Sequence, residues 1–483
     1  MNAQVSPHSA LPTVLVVGGG IAGLAAAARL SGADGSTPTA RVVLAEAGDR
    51  LGGKLRVGEI EGIAVDLGAE SMLARRPEAV AFARSVGLAD DLQPPTTAKA
   101  AIWTRDALRP MPTGHLMGVP GDLDALAASG VLSPEGLARV AADLELPATE
   151  VGADISVGDY VTARLGREVA DRLVEPLLGG VYAGHADRLS LRATVPQLLT
   201  IAQQERSAIE GVRALQAKAP ANPAPVFQGI AGGIGRLPLA AADACRAAGV
   251  DLRLNAPVSA LRRTADGWQA FVGAEPLHAD AVVLAVPAPA AAALLREESP
   301  AVARELDQIE YAGMALVTLA FRRADVGALE GSGFLVPPVD GRSIKASTFS
   351  SNKWGWLGAA APDSFVLRTS LGRQGEEGVL DLDDAELVAR SLADLRAAVG
   401  LTAVPYATTV TRWRAGLPQY PVGHLDRVAR VQRDLADLPG LAVCGAAYEG
   451  VGIAPVIASA WRAAEQVQGV AAGAVRAERT MGA

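Results

Sequence analysis

Apolar residues come in runs along this chain, and the period of the runs changes from one region to the next. Val14 to Val17 is unbroken, as expected of a strand buried on both faces of a parallel sheet. Three glycines follow, then an Ala/Leu-rich stretch that predicts a helix from Gly20 to Leu30, a polar loop from Ser31 to Thr39, and a second strand ending at Glu46. That order is one βαβ unit with a parallel pair of strands. From about Asp122 to Lys218 apolar residues recur three and four apart against Arg, Glu and Asp, as between Val157 and Leu165, which predicts an all-helical insert. A Gly-rich turn, Gly229 to Arg236, leads to a predicted helix from Leu237 to Ala248, and strand-like runs follow at 251–258, 268–272 and 281–286. Residues 310–410 alternate strand runs at 315–321 and 365–370 with turns and one helix over 384–399, the pattern of a mostly antiparallel sheet. Residues 440–470 close with a short strand and an Ala-rich helix, and no internal repeat or long low-complexity linker interrupts the chain; the Ala/Pro stretch near 220 is short.

The glycines give the first unit its chemistry. Gly18-x-Gly20-x-x-Gly23 at a strand–helix junction lets the backbone turn sharply, approach a pyrophosphate and pack the helix on the sheet. The helix N-terminus meanwhile offers amides and a positive dipole to the phosphates. Glu46, at the end of the second strand, is placed to accept both hydroxyls of a ribose. With Gly19, Ile21, Ala22 and Ala47 beside them, these residues predict a dinucleotide site. Arg50-x-Gly52-Gly53-Lys54, then Gly68-Ala69-Glu70-Ser71, supply further glycine turns where a longer, bent flavin passes between backbone segments, so FAD is expected over NAD. Far along the chain, Cys444-Gly445 closes a strand and Gly450-Val451-Gly452-Ile453 enters a helix with Pro455 in its permissive first turn. A helix N-terminus at the flavin pyrimidine would stabilise the negative charge that develops there on reduction. The expected division is an FAD-binding domain from residues 1–80, 225–300 and 411–483, a substrate-binding domain from 81–120 and 301–410, and a helical domain from 121–224.

Composition narrows the rest. At 483 residues, half of them apolar, the chain can bury a large cofactor, and two or three domains are expected. The 44 basic and 52 acidic residues leave a net charge of −8, which does not suggest a nucleic-acid partner. Only five of the basic residues are lysines, so each Arg has to be weighed position by position. Cys245 and Cys444 do not make a disulfide framework, and Cys444 reads as a small buried residue instead of a covalent flavin anchor. Met1 to Pro12 lack a basic segment followed by an apolar one, and the apolar stretch from Ala281 is short and broken by Pro287 and Pro289. A cytoplasmic protein without a transmembrane segment is expected. No metal-ligand spacing is present, and no metal is expected.

Four further segments carry a more specific likeness: Glu175-Pro-Leu-Leu-Gly-Gly-Val-Tyr-Ala-Gly184 with Leu189-Ser-Leu-Arg-Ala193; Met117-Gly-Val-Pro120; Phe349-Ser-Ser-Asn352-Lys353-Trp354; and Trp413-x-Ala-Gly-Leu-Pro418-Gln419-Tyr420-x-x-Gly423-His424. In this order, over nearly the full length, the chain resembles the protoporphyrinogen/coproporphyrinogen oxidase family, within the wider group that includes flavin amine oxidases. The resemblance implies an α/β fold: an FAD-binding Rossmann-like domain of amine-oxidase/glutathione-reductase-like topology, an inserted mixed α+β substrate domain and an all-helical domain. It further implies FAD-dependent oxidation of a porphyrinogen to a porphyrin in heme synthesis, with dioxygen as acceptor and hydrogen peroxide released. Overall likeness is nearer to the Gram-positive enzymes that act on coproporphyrinogen III than to the membrane-associated protoporphyrinogen enzymes. The family pattern places Val258 and Trp413 beside the cofactor, though Trp413 is equally open to domain-interface packing. It also suggests transient contact with the next heme-pathway enzyme.

Coproporphyrinogen carries four propionates, so its pocket calls for carboxylate-binding groups. Arg75, Arg76, Arg192, Lys345 and Lys353 are the candidates, each with a solvated surface position as its alternative. Met72, Met117 and Leu178 are candidates to cover the macrocycle, with ordinary core as theirs. His115, His185 and His424 read as structural, and no general base stands out; positioning against a bound flavin can suffice. Three rival functions remain: protoporphyrinogen IX oxidation, an amine oxidase or desaturase on the same scaffold, and a non-catalytic heme-pathway partner. An amine oxidase would normally bring aromatic residues to the flavin from the C-terminal segment, where this chain offers only Tyr448.

Overall fold

The computed structural model describes residues 11–218, 225–273 and 275–481. The first ten residues, read above for the absence of an export signal, and the heart of the Ala/Pro stretch near 220 lie outside the described residues.

Five parallel strands form the first sheet, in the order Asp251–Arg253, Arg41–Ala45, Thr13–Val17, Ala281–Leu284 and Leu441–Val443. The strand nearest the N-terminus is central, and the one nearest the C-terminus is an edge. Val14 and Val16 pack under helices Ile21–Ser31, Arg236–Ala247 and Ile453–Met481. Leu15 and Val17 pack on the opposite face against Trp268 and helix Ala288–Leu295. Both faces are therefore dry, which is why the run from Val14 to Val17 shows no polar alternation. Helix Ile21–Ser31 lies between its neighbours at close range because its inward residues are Ala25 to Ala28.

The run expected as one strand over 251–258 is split in two. Asn255 sits in the left-handed region with φ of 50° and Pro257 follows two residues later, so the ladder ends at Arg253. The chain then enters a separate antiparallel sheet of Val258–Thr264, Gly267–Val272 and Glu275–Ala279, which covers the second face of the parallel sheet.

The second large sheet has seven strands, in the order 407–418, 311–322, 364–371, 344–348, 333–335, 101–104 and 107–110. All pairings are antiparallel except that of 333–335 with 101–104. Helix Asp384–Val399, where the periodicity puts it, packs on one face through Leu387 and Leu395. The other face looks toward the nucleotide sheet. Helix Pro300–Asp307 packs with the nucleotide sheet, although it falls within the span assigned above to the substrate domain.

Between 123 and 217 the chain is helical, around its own core of Leu126, Val161, Leu173 and Leu198. Arg164 is held inside this unit by Asp143 at 2.5 Å, and Asp143 also accepts from Ser207 Oγ at 2.6 Å and the Ile209 amide at 3.1 Å. A buried ion pair is tolerated only when its remaining lone pairs are satisfied in this way.

Candidate active site

The three units surround a cavity of about 900 Å³. Its nucleotide end is built from backbone. The Gly18 amide donates to Ala45 O at 2.8 Å, and the Gly52 amide donates to Gly19 O at 2.8 Å, which docks the second glycine turn against the first. Arg50 does not border the cavity; its guanidinium donates to Gly53 O at 2.7 Å and fixes that second turn. Gly23 lies outside the lining as well, and a Cβ there would overlap the Gly18 carbonyl oxygen. Glu46 accepts the Gly19 amide at 2.6 Å on one oxygen and the Gly48 amide at 2.8 Å on the other. Those bonds hold the carboxylate at the cavity edge with a lone pair spare on each oxygen.

Helix Ile21–Ser31 begins at Gly20 without a side-chain cap, and Gly18, Gly20, Ile21 and Ala22 line the cavity beside it. Its first amides are thus left for a ligand acceptor, with a dipole contribution of about 0.3–1 kcal/mol toward an anion. The cavity continues past Ala47, Gly53, Lys54, Gly68, Ala69 and Ser71 to Val258, Trp413, Gly445, Val451, Gly452 and Ile453. An uncapped helix start, a glycine cradle, a braced carboxylate and a long continuing space together fit FAD.

A buried tyrosine holds the C-terminal side of this space. Tyr420 donates its hydroxyl to Ala446 O at 2.5 Å and accepts from the Gly450 amide at 2.8 Å, so one side chain pins both ends of the loop that carries Gly445 and Val451. His424 stacks on the Tyr420 ring at 3.9 Å, and its Nε2 lies 3.0 Å from Tyr448 O. Burial lowers its pKa to about 4, so the imidazole is neutral and donates Nε2–H to that carbonyl. Tyr448 is fully enclosed in the core beneath the parallel sheet and does not face the cavity. Cys444 is buried too, and burial pushes its thiol up to about 12.

Glu70 is turned away from the cavity. Its carboxylate is gripped by Lys353 at 2.5 Å and Arg368 at 3.0 Å, and Arg368 also donates to Gly68 O at 2.8 Å. Burial alone would raise the Glu70 pKa, but the Arg368 and Lys353 charges outweigh it and hold the carboxyl below the usual range. Trp413 lines the cavity and donates Nε1–H to Leu67 O at 2.9 Å. These contacts lock the Gly68–Ser71 turn to the seven-stranded sheet.

At the far end the lining comes from that sheet and from helix Glu175–Tyr182, through Met314, Leu316, Leu335, Thr348, Gly180 and Val181. Of the five basic candidates, Lys345 borders the cavity. Arg75 and Arg76 are exposed, Arg192 pairs with Asp426 at 2.7 Å on the surface, and Lys353 is committed to Glu70. Met72 and Leu178 are core residues, and Met117 sits in a turn with φ of 47°, packed against the helical core. Gly180 and Val181 escaped the sequence reading although the Gly179-Gly180 pair inside a helix is itself a sign of close approach.

His115 and His185, like His424, are occupied elsewhere. His115 Nδ1 accepts the Gly118 amide at 3.0 Å, and His185 bridges Glu175 at 2.8 Å and Gln374 O at 2.9 Å. Among the described residues no group of three or more His, Cys, Asp or Glu is arranged to hold a metal, and no helix is long and apolar enough to cross a membrane.

Comparison with known proteins extends over nearly the whole chain. The model of the flavin-containing amine oxidoreductase family matches residues 21–468. Coproporphyrinogen III oxidase of Mycobacterium tuberculosis is 37% identical over 460 residues, covering 94% of this chain and 96% of that one. The protein of the same name from Bacillus subtilis is 32% identical over 450 residues, covering 91% and 94%. A solved structure from Exiguobacterium sp., provisionally named a protoporphyrinogen oxidase, superposes with a TM-score of 0.84 at 33% identity, covering 95% of this chain and 98% of that one. The chain therefore belongs to the flavin-containing amine oxidoreductases, and within them to the family of the coproporphyrinogen III oxidases.

Proposed function

We propose that this chain oxidises coproporphyrinogen III to coproporphyrin III in heme synthesis, with dioxygen as acceptor. The observation that carries the reading is the single cavity that runs from the glycine cradle at Gly18–Gly20 to the face of the seven-stranded sheet at Ala346. A dinucleotide and a second, largely apolar molecule can lie end to end in it. FAD, when bound, supplies the two-electron acceptor that takes a hydride from the macrocycle and is reoxidised by dioxygen to give peroxide. Six electrons separate porphyrinogen from porphyrin, so three such cycles and three molecules of peroxide balance the reaction.

The chain's own residues bind and orient. The amides at Gly20–Ala22 would hold the pyrophosphate, and Glu46 would take the ribose. With FAD bound, the amides at Val451–Ile453, where the last helix starts, would stabilise negative charge on the flavin. Met314, Leu316, Leu335 and Val181 give the far end an apolar wall that excludes water from the macrocycle. With His115, His185 and His424 engaged elsewhere, none of the three serves as base, and rate would come from holding the substrate carbon in place. A cytoplasmic setting and hand-off of the porphyrin to the next enzyme belong to the same reading.

The test is direct. The purified protein, with bound FAD confirmed by its visible spectrum, is given coproporphyrinogen III or protoporphyrinogen IX in air, and porphyrin fluorescence and peroxide are followed together. Preference for the four-propionate substrate is expected. Preference for protoporphyrinogen IX, or no turnover of either, would overturn the proposal.

A further inference from the structure

One strand of the seven-stranded sheet carries an extra residue where it borders the cavity. Between strands 344–348 and 364–371 the register steps from Ile344 opposite Leu371 to Ala346 opposite Ser370, which leaves Lys345 without a partner. Such a bulge breaks the in–out alternation and re-aims a side chain. Ile344 packs into the core shared with helix Asp384–Val399, whereas Lys345 and Ala346, consecutive residues, both line the cavity. Counted back from Thr348 and Ala346, which face the cavity, strict alternation would have sent Lys345 into the apolar core. The bulge is what delivers an amine to the cavity wall.

That amine is enclosed and under-used. Lys345 is 6% exposed; its Nζ donates to Gly372 O at 2.9 Å, and its other near neighbour is the Met314 sulfur at 4.0 Å. Among the described residues, two of its N–H groups are left without an oxygen acceptor. The charges that face it come from the turn after Leu371: Arg373, buried and bonded to Val336 O at 3.1 Å, and Glu376, which Arg373 approaches at 3.6 Å. Neither pairs with Lys345 among the described residues. Arg368, the other cation lining this half, is spent on Glu70 and on the Asp66 and Gly68 carbonyls. Burial first, and then Arg373, lower the Lys345 pKa to about 7, with Glu376 opposing. A cation held in an apolar wall without a counter-charge is costly, and an incoming carboxylate removes that cost.

We infer that Lys345 is this chain's anchor for a substrate carboxylate within the cavity, receiving one acidic side chain of the macrocycle and so fixing which edge of it enters first. The inference rests on the reading of a propionate-bearing substrate given above. It places carboxylate recognition on one enclosed ammonium instead of on the exposed Arg75 and Arg76, and makes Lys345 a residue that sets specificity and orientation.

The experiment uses the FAD-loaded protein and coproporphyrin III, which keeps the substrate's carboxylates and is stable in air. Binding is followed by fluorescence for wild type, Lys345→Met and Lys345→Arg, from about pH 6 to about pH 9. FAD content and thermal unfolding establish that each variant is folded. A bound carboxylate favours the ammonium, so wild-type affinity should be highest at low pH and fall as pH rises through about 7. Lys345→Met should bind about ten- to a hundredfold more weakly at about pH 6 and lose the pH-dependence. Lys345→Arg should keep the affinity and carry it unchanged to high pH. If Lys345→Met binds as tightly as wild type, the anchor is wrong. If binding is unchanged while anaerobic flavin reduction slows and its rise with pH disappears, Lys345 takes up a proton instead, which also overturns the inference. Failure of the wild type to bind coproporphyrin and to turn over any porphyrinogen would remove the functional reading itself, a result distinct from either.

Discussion

Lys353 meets Glu70 at 2.5 Å across the joint between the flavin-side turn and the substrate sheet, and Arg368 closes on the other oxygen of the same carboxylate. Two cations and one anion, all largely buried, are therefore balanced around a single side chain. Glu70→Gln keeps the shape and leaves both cations without their counter-charge. A loss of about 3–5 kcal/mol in denaturant unfolding is expected. Because the Glu70 pKa lies below its ordinary 4.5 in the folded protein, its contribution is complete above that pH and fades as pH falls through the folded value. The variant should accordingly show a shallower acid limb than the wild type.

Tyr420 offers a second, neutral test. Tyr420→Phe retains the stack on His424 but orphans the Ala446 carbonyl and the Gly450 amide. The expected cost is about 2–3 kcal/mol. It should be visible as a lowered melting temperature of the FAD-loaded protein and as earlier flavin release on heating.

Gly23→Ala addresses the cofactor cradle. The added methyl meets the Gly18 carbonyl oxygen, so either the helix or the first turn must move. Overpacking of this kind costs about 1–3 kcal/mol; taken up wholly in cofactor binding, that corresponds to FAD held about five- to 150-fold more weakly. The ratio of flavin to protein absorbance after gel filtration reads it out.

His185 predicts a mild alkaline dependence. Its hydrogen bond to Glu175 raises the imidazole pKa above 6.5, so this pair stabilises most below that pH and loses its effect as pH rises through the raised value. The ring is partly exposed, and the effect should stay under about 1 kcal/mol. Stability curves of wild type and His185→Gln, compared from about pH 6 to about pH 9, should converge at the alkaline end.

What the sequence made legible is what short-range pattern controls. The run Val14–Val17, the three glycines and Glu46 declare a nucleotide unit because strand, turn and helix each leave a local period, and helix Asp384–Val399 was readable for the same reason. The fate of the basic residues was not local. Arg192 is taken by Asp426 and Lys353 by Glu70, partners hundreds of residues away in the chain. Lys345 reaches the cavity through a register step between two strands, and register leaves no mark on either strand read alone. On helix Glu175–Tyr182, Leu178 turns to the core while Gly180 and Val181 meet the cavity, and only the packing of that helix decides which face does so. Glu70 shows the same limit in the nucleotide unit: its place in a glycine turn pointed to the cofactor, while its partners are Arg368 in the other sheet and Lys353 at the end of the short helix Ser350–Lys353.

The edge position of strand Leu441–Val443 bears on how the protein is made. The glycine cradle leaves the ribosome early, but the loop at Gly445 and the helix start at Ile453 that complete the cofactor's enclosure follow only after both inserted units. During synthesis the nascent protein therefore carries half a binding site and an uncovered sheet edge, which neighbouring chains or chaperones meet before flavin can be locked in. Enclosure of the cofactor therefore waits on residues that follow both inserted units in the chain.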